Sequence, residues 1–195
     1  MRKFIIIVIA LLSIFASSTK TGGTAANSGG GIAWSNPTNG QACDNTYTTV
    51  VLSGEASSKY LLVTNFGFTI PTGATIDGTV VSIQWKGTIL EAGVKDFDVS
   101  LVKSGIASGD NKAVAIVLPT VEETRNYGGA SDTWGAGFTY TDWNASTSGA
   151  RIKLQEGGGL EMETGYIDCV QITVYYTEAG GTKRYLIGYS RQVEF

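Results

Sequence analysis

Val81-Ser82-Ile83-Gln84-Trp85-Lys86 puts an apolar side chain at every second position and a polar one between. In an extended chain neighbouring side chains leave opposite faces, so this stretch has one dry face and one wet face. Ile89 extends the apolar set, and the same period recurs on either side. Tyr60, Leu62, Phe66, Phe68 and Ile70 share one parity upstream. Downstream, Phe97, Val99 and Leu101 alternate with Asp96, Asp98 and Ser100, and Ile152 and Leu154 alternate with Arg151, Lys153 and Gln155. Val170, Ile172, Val174 and Tyr176 close the series against Gln171 and Thr173. Turn formers separate these runs: Asn36-Pro37, Pro71-Thr72-Gly73, Asp77-Gly78, Gly109-Asp110-Asn111, Gly128-Gly129 and Gly157-Gly158-Gly159. No long window past the N-terminal segment carries a helical period. The pattern predicts an all-β chain: a two-sheet antiparallel β-sandwich, jelly-roll-like, forming a single domain over residues 32–177.

Arg2 and Lys3 precede an apolar run from Phe4 to Ala16 that only Ser13 interrupts, followed by small polar residues. A basic start, a short apolar core and small residues are how a secretory signal peptide is built. The run is too short for the roughly 20 apolar residues of a spanning helix, so no stable membrane span is expected. The leader is expected over residues 1–18, with cleavage after Ser18, or to 26, after Ala26. An uncleaved anchor or a buried helix is the alternative. Residues 19–31 read as a flexible Gly/Ser/Thr linker. Residues 178–195 form a tail after Gly180-Gly181, in which Tyr185, Ile187 and Tyr189 alternate with Arg184, Leu186 and Gly188. It is a candidate extra strand that folds back or pairs with a neighbouring subunit, simple disorder being the alternative.

The 195-residue chain has a net charge of −3, and its lysines and arginines form no run, so it lacks the basic stripe of a nucleic-acid binder. A hydrophobic fraction of 43 % separates it from disordered chains. Cys43 and Cys169 are the two cysteines, and an exported chain is expected to join them in a disulfide, two free thiols being the alternative. The protein is therefore expected outside the cytoplasm: extracellular, periplasmic, at the cell surface or on a virion.

Several stretches carry a resemblance. They are Trp34-Ser35-Asn36-Pro37, Asn65 to Pro71, Ala74 to Gly78, Val99 to Lys103, Tyr127 to Gly135 and Ile167 to Tyr176. Together they resemble a family of jelly-roll-like β-sandwich domains met in phage virion and tail-associated proteins and in bacterial surface or secreted proteins. The resemblance spans about residues 32–177 and implies a non-catalytic sandwich used in assembly or attachment. It brings no catalytic residues. The leader and the two cysteines depart from the family pattern and point to a cellular, oxidising setting.

The chain has no histidine, which removes Ser-His-Asp and Cys-His nucleophile arrangements and His-containing zinc sites. No phosphate-binding glycine loop is present. Two paired carboxylates are all a glycosidase needs, and Asp96 with Asp98, or Glu161 with Glu163, sit two apart on one expected strand face. A solvated polar face is the simpler explanation of both pairs. Asp44, Asp110 and Asp132 are candidate ligands for a structural Ca²⁺, which takes oxygen donors from loops, although Asp also forms ordinary turns. No other cofactor is expected. Tyr127, Trp134, Tyr140 and Trp143 are the candidate ligand face, since flat exposed rings stack on sugars; core packing is the alternative. The expected function is a non-enzymatic exported structural or attachment domain, with self-association or assembly partners. A carbohydrate-binding module using the aromatics of 127–143 is the alternative, followed by a carboxylate-dependent glycan hydrolase.

Overall fold

Ten strands, one short α-helix and one 3-10 turn (Pro37–Gly40) account for the regular structure of residues 14–180, which are the residues that the computed structural model describes. The strands are β1 Ile14–Thr21, β2 Thr24–Ser28, β3 Thr48–Leu52, β4 Tyr60–Thr64, β5 Thr75–Gly87, β6 Val94–Lys103, β7 Ile106–Ser108, β8 Glu123–Gly129, β9 Gly149–Glu156 and β10 Glu163–Glu178. The helix α1, Tyr140–Asn144, is opened by a Thr139/Asp142 capping box. One sheet runs β1-β10-β5-β8, with β3 also on β10; the other runs β2-β4-β9-β6-β7. Every paired strand is antiparallel. The chain is a two-sheet antiparallel β-sandwich, as the alternation predicts.

Val81, Ile83 and Trp85 are fully buried, as are Val170, Ile172 and Val174 beside them on the same sheet and Ile152 and Leu154 on the other sheet. Fully burying an aliphatic or aromatic side chain of this size stabilises by about 1.5–3 kcal/mol, so this inner layer is the main source of stability. Three expectations change phase. In β4 the inward residues are Leu61 and Val63, while Tyr60 and Leu62 face outward. Tyr60 there lies under the Arg151 guanidinium, 4.2 Å from the ring centroid. Ile89 lies beyond the end of β5 and is exposed. In β6 a bulge at Phe97 shifts the register against β9. Phe97 is thereby turned out to solvent, and Asp96 and Asp98 leave opposite faces, Asp96 paired with inward Leu154 and Asp98 with Lys153 on the outer face.

The flexible linker expected over 19–31 is corrected as well. β1 pairs with β10 over its full length, Ile14 opposite Glu178 to Thr21 opposite Gln171, and β2 pairs with β4. Gly22-Gly23 carries the chain from one sheet to the other. A Cβ on Gly22 would stand 2.1 Å from Val63 Cγ1, and one on Gly23 2.5 Å from the Asn65 carbonyl oxygen. These glycines are present for close approach, not for flexibility. Gly23→Ala is expected to cost about 1–3 kcal/mol in denaturant unfolding through that steric overlap. Gly30→Ala, with nothing within 4 Å of its added carbon, should be near neutral. Equal midpoints for the two variants would return the segment to a linker. A cut after Ser18 would divide β1, and a cut after Ala26 would leave only Asn27–Ser28 of β2. Residues 1–13, which hold most of the expected leader's apolar core, lie outside the described residues, as does the tail from Gly181 onward.

β10 runs the length of the sandwich and defines its two ends. At the Glu163 end, Glu163 is opposite Leu52 and Gly165 opposite Gly87, so the loops after β3, β5 and β9 gather there. At the Glu178 end, Ile14 and Thr75 mark where the chain enters β1 and β5.

Candidate functional site

The loops of the Glu163 end are held by carboxylates rather than by apolar packing. Glu163 is completely buried. Its Oε1 accepts the backbone N–H groups of Leu90 (2.7 Å), Glu91 (2.8 Å) and Gly93 (3.2 Å), and its Oε2 accepts the Thr88 hydroxyl (2.6 Å). Glu156, also completely buried, accepts the N–H groups of Glu55 (2.8 Å), Gly158 (2.9 Å) and Gly159 (2.8 Å). Exposed Glu91 takes the N–H of Leu160 at 2.7 Å, and Gly54 N–H donates to the Gly159 carbonyl at 2.9 Å. A buried carboxylate is costly unless its lone pairs are filled, and here amides fill them. The run Gln155-Glu156-Gly157-Gly158-Gly159 shows how: glycines without side chains let bare amides converge on one acceptor.

Burial alone would raise the Glu163 carboxyl, but the Thr88 hydroxyl and the Glu91, Leu90 and Gly93 amides outweigh it and hold it below the ordinary carboxylate range. The Glu55 amide leads in holding Glu156 down, against the opposing effect of burial and with help from the Gly158 and Gly159 amides. A group lowered on folding stabilises above its unfolded pKa, about 4.3 for Glu, and loses that contribution as pH falls through the folded value. The thermal midpoint should therefore fall as pH drops below about 4.3, and Glu163→Gln should flatten that slope because its side chain no longer titrates. Identical acid profiles for the two proteins would contradict the assignment. Asp168 runs the other way: burial first, then the charge of Glu122, raises it against the Asp44 amide.

These braced loops turn apolar side chains outward. Leu160 is 88 % exposed, Leu90 and Met162 67 %, and Ile89 48 %. Exposed Glu55, Glu91 and Glu161 stand among them, and no Lys or Arg occurs in residues 53–58, 88–93 or 157–162. A fixed apolar and acidic surface of this kind has the composition of an interaction site. Sequence alternation could not find it, because it lies in the loops between the strands.

The other carboxylates are occupied too. Asp96 sits between the sheets, where it accepts the Tyr127 hydroxyl (2.8 Å) and the Val114 (2.8 Å) and Ile116 (3.0 Å) amides. Asp98 on the outer face pairs with Arg151 at 2.9 Å and accepts the Tyr60 and Ser100 hydroxyls. The bulge that separates them removes the shared face of the expected Asp96/Asp98 pair. Glu161 is exposed while Glu163 is buried, so the second pair is also split.

The candidate ligand face is not at the surface. Trp134 is fully buried and donates its indole N–H to the Thr79 carbonyl at 2.9 Å. Tyr127 and Trp143 are buried, Trp143 stacking on Phe138 at 4.4 Å, and Tyr140 is half-buried. Rings in the core present no platform to a sugar. Of the candidate Ca²⁺ ligands, Asp110 and Asp132 come together, but the Lys112 ammonium stands between them at 3.2 and 3.1 Å. Asp44 lies elsewhere, its carboxylate accepting the Thr46 amide and its own N–H donating to Asp168. Among the described residues no group of three or more acidic, Cys or His side chains is arranged to hold a metal. Cys43 and Cys169 form a disulfide. Asn144, in the sequon Asn144-Ala145-Ser146, exchanges two hydrogen bonds with the Ile70 backbone.

The fold and site define a disulfide-bonded β-sandwich with a braced loop end, and no helix among the described residues is long and apolar enough to cross a membrane. No family model and no curated protein matches the chain. A solved structure described as "CBM4 structure and function" is similar to it at 14 % identity, covering 80 % of this chain and 92 % of that one with a TM-score of 0.33.

Proposed function

We propose that this protein is an exported, non-catalytic β-sandwich that serves in assembly or attachment, on a cell surface, secreted or on a virion, through contacts of its surface. The observation that carries this reading is the use of Glu156 and Glu163: both carboxylates are filled with amides of loops whose apolar side chains point to solvent. Ordering loops costs about 1–2 kcal/mol of backbone entropy per residue, which a merely connecting loop has no reason to bear. The disulfide supports an oxidising compartment, and the resemblance to virion and surface sandwiches points to the same role. Electron microscopy and glycan-array binding on one preparation test it. Ordered assemblies or partner-dependent particles without glycan binding are expected. A monodisperse monomer that binds glycan saturably, or turns it over, would contradict it.

A further inference from the structure

We infer that the Glu163 end of one copy receives the basic, aromatic stretch Lys183–Tyr189 of a second copy, joining molecules end to end. This rests on the assembly reading above. The receiving surface combines exposed Leu90, Leu160 and Met162 with exposed Glu55, Glu91 and Glu161, and residues 53–58, 88–93 and 157–162 hold no Lys or Arg, Lys59 standing at the entrance to β4. The stretch Lys183-Arg184-Tyr185-Leu186-Ile187-Gly188-Tyr189 has the complementary composition, two cations followed by apolar and aromatic side chains with no acidic residue. Opposite charges steer such an encounter, and apolar burial at the centre holds it.

Distance decides between a molecule's own surface and that of a neighbour. The stretch leaves from the Glu178 end, whereas the receiving loops surround Glu163. The 16 residues of β10 separate these ends, about 50 Å at roughly 3.3 Å per residue. Tyr189 lies 11 residues beyond Glu178, so even a fully extended chain carries it no further than about 40 Å. Lys183 and Arg184 fall far shorter. The stretch does not reach its own molecule's Glu163 end, so the occupant is a second copy. The braced loops suit this role because a preformed surface loses little entropy on binding.

Sedimentation velocity of the full chain across a concentration series tests the pairing, with Leu90→Glu altering the receiving end and Lys183→Glu/Arg184→Glu altering the donor. Leu90 is an exposed side chain, and thermal unfolding should confirm that both variants keep the wild-type midpoint. The unaltered chain is expected to associate with concentration, and each variant to associate at least tenfold more weakly. An equimolar mixture of the two should form a dimer and nothing larger, because only one productive end-to-end contact remains. Association unchanged in both variants would overturn the pairing and leave the assembly reading standing. A monomer at all concentrations would overturn the pairing, and glycan binding by that monomer would overturn both. Flotation with phosphatidylcholine vesicles that Leu90→Glu abolishes and the donor variant does not would assign the surface to a bilayer instead.

Discussion

Reduction of the Cys43–Cys169 bond is expected to lower the unfolding free energy by about 4–5 kcal/mol, the value that chain entropy gives a loop of this length. The bond spans 126 positions and so restricts most of the unfolded chain. Its place in the fold adds a second consequence. One edge of β10 is covered in three pieces: β3 over Glu163–Ile167, the Gln41 bridge at Cys169, and β1 from Gln171 to Glu178. The disulfide fixes the middle piece, where no regular strand does so. Denaturant unfolding with and without reductant measures the effect, and intact mass should rise by two hydrogens on reduction. An unchanged midpoint in the reduced protein would contradict this.

Trp134→Ala should cost about 3–5 kcal/mol, the range for removing a large aromatic from a core. The indole fills the space above Gly128, where an added Cβ would come within 2.4 Å of its Nε1, and its N–H is bonded to Thr79. Trp134→Phe keeps much of the volume but leaves the Thr79 carbonyl without this donor, adding about 1–3 kcal/mol to the lost contacts. Trp143→Phe should cost less, because the Trp143 indole N–H has no partner. Unfolding curves for the three variants give the order directly. A stable Trp134→Ala protein that had lost only a ligand would restore the aromatic face that the core placement removes.

The strand period was readable wherever only one parity was apolar. Val81, Ile83 and Trp85, and Val170, Ile172 and Val174, are buried as their alternation requires. Tyr60-Leu61-Leu62-Val63 is apolar at both parities, so its sequence is compatible with either face, and pairing with β2 and β9 decides it. The bulge at Phe97 adds one residue without changing composition, and local alternation carries no mark of it. Gly22-Gly23 has the composition of a linker, and only the proximity of Val63 and Asn65, which are distant in sequence, makes it a sheet-switching bend. The candidate site was least legible. Glu156 and Glu163 look like surface carboxylates until the loops fold over them, although the three glycines after Glu156 were a usable sign. The aromatics of 127–143 were conspicuous as a group, but aromatic content says nothing about which rings face inward.

Amide hydrogen exchange at Leu90, Glu91, Gly93, Gly158 and Gly159 tests the braced Glu163 end most directly. These amides lie in loops, where exchange is ordinarily fast, yet each donates to a buried carboxylate. Protection approaching that of the β5 and β10 amides is the predicted result. Exchange at the rate of an unfolded chain would show that the loops are not held, and the case for a preformed contact surface would fail with them.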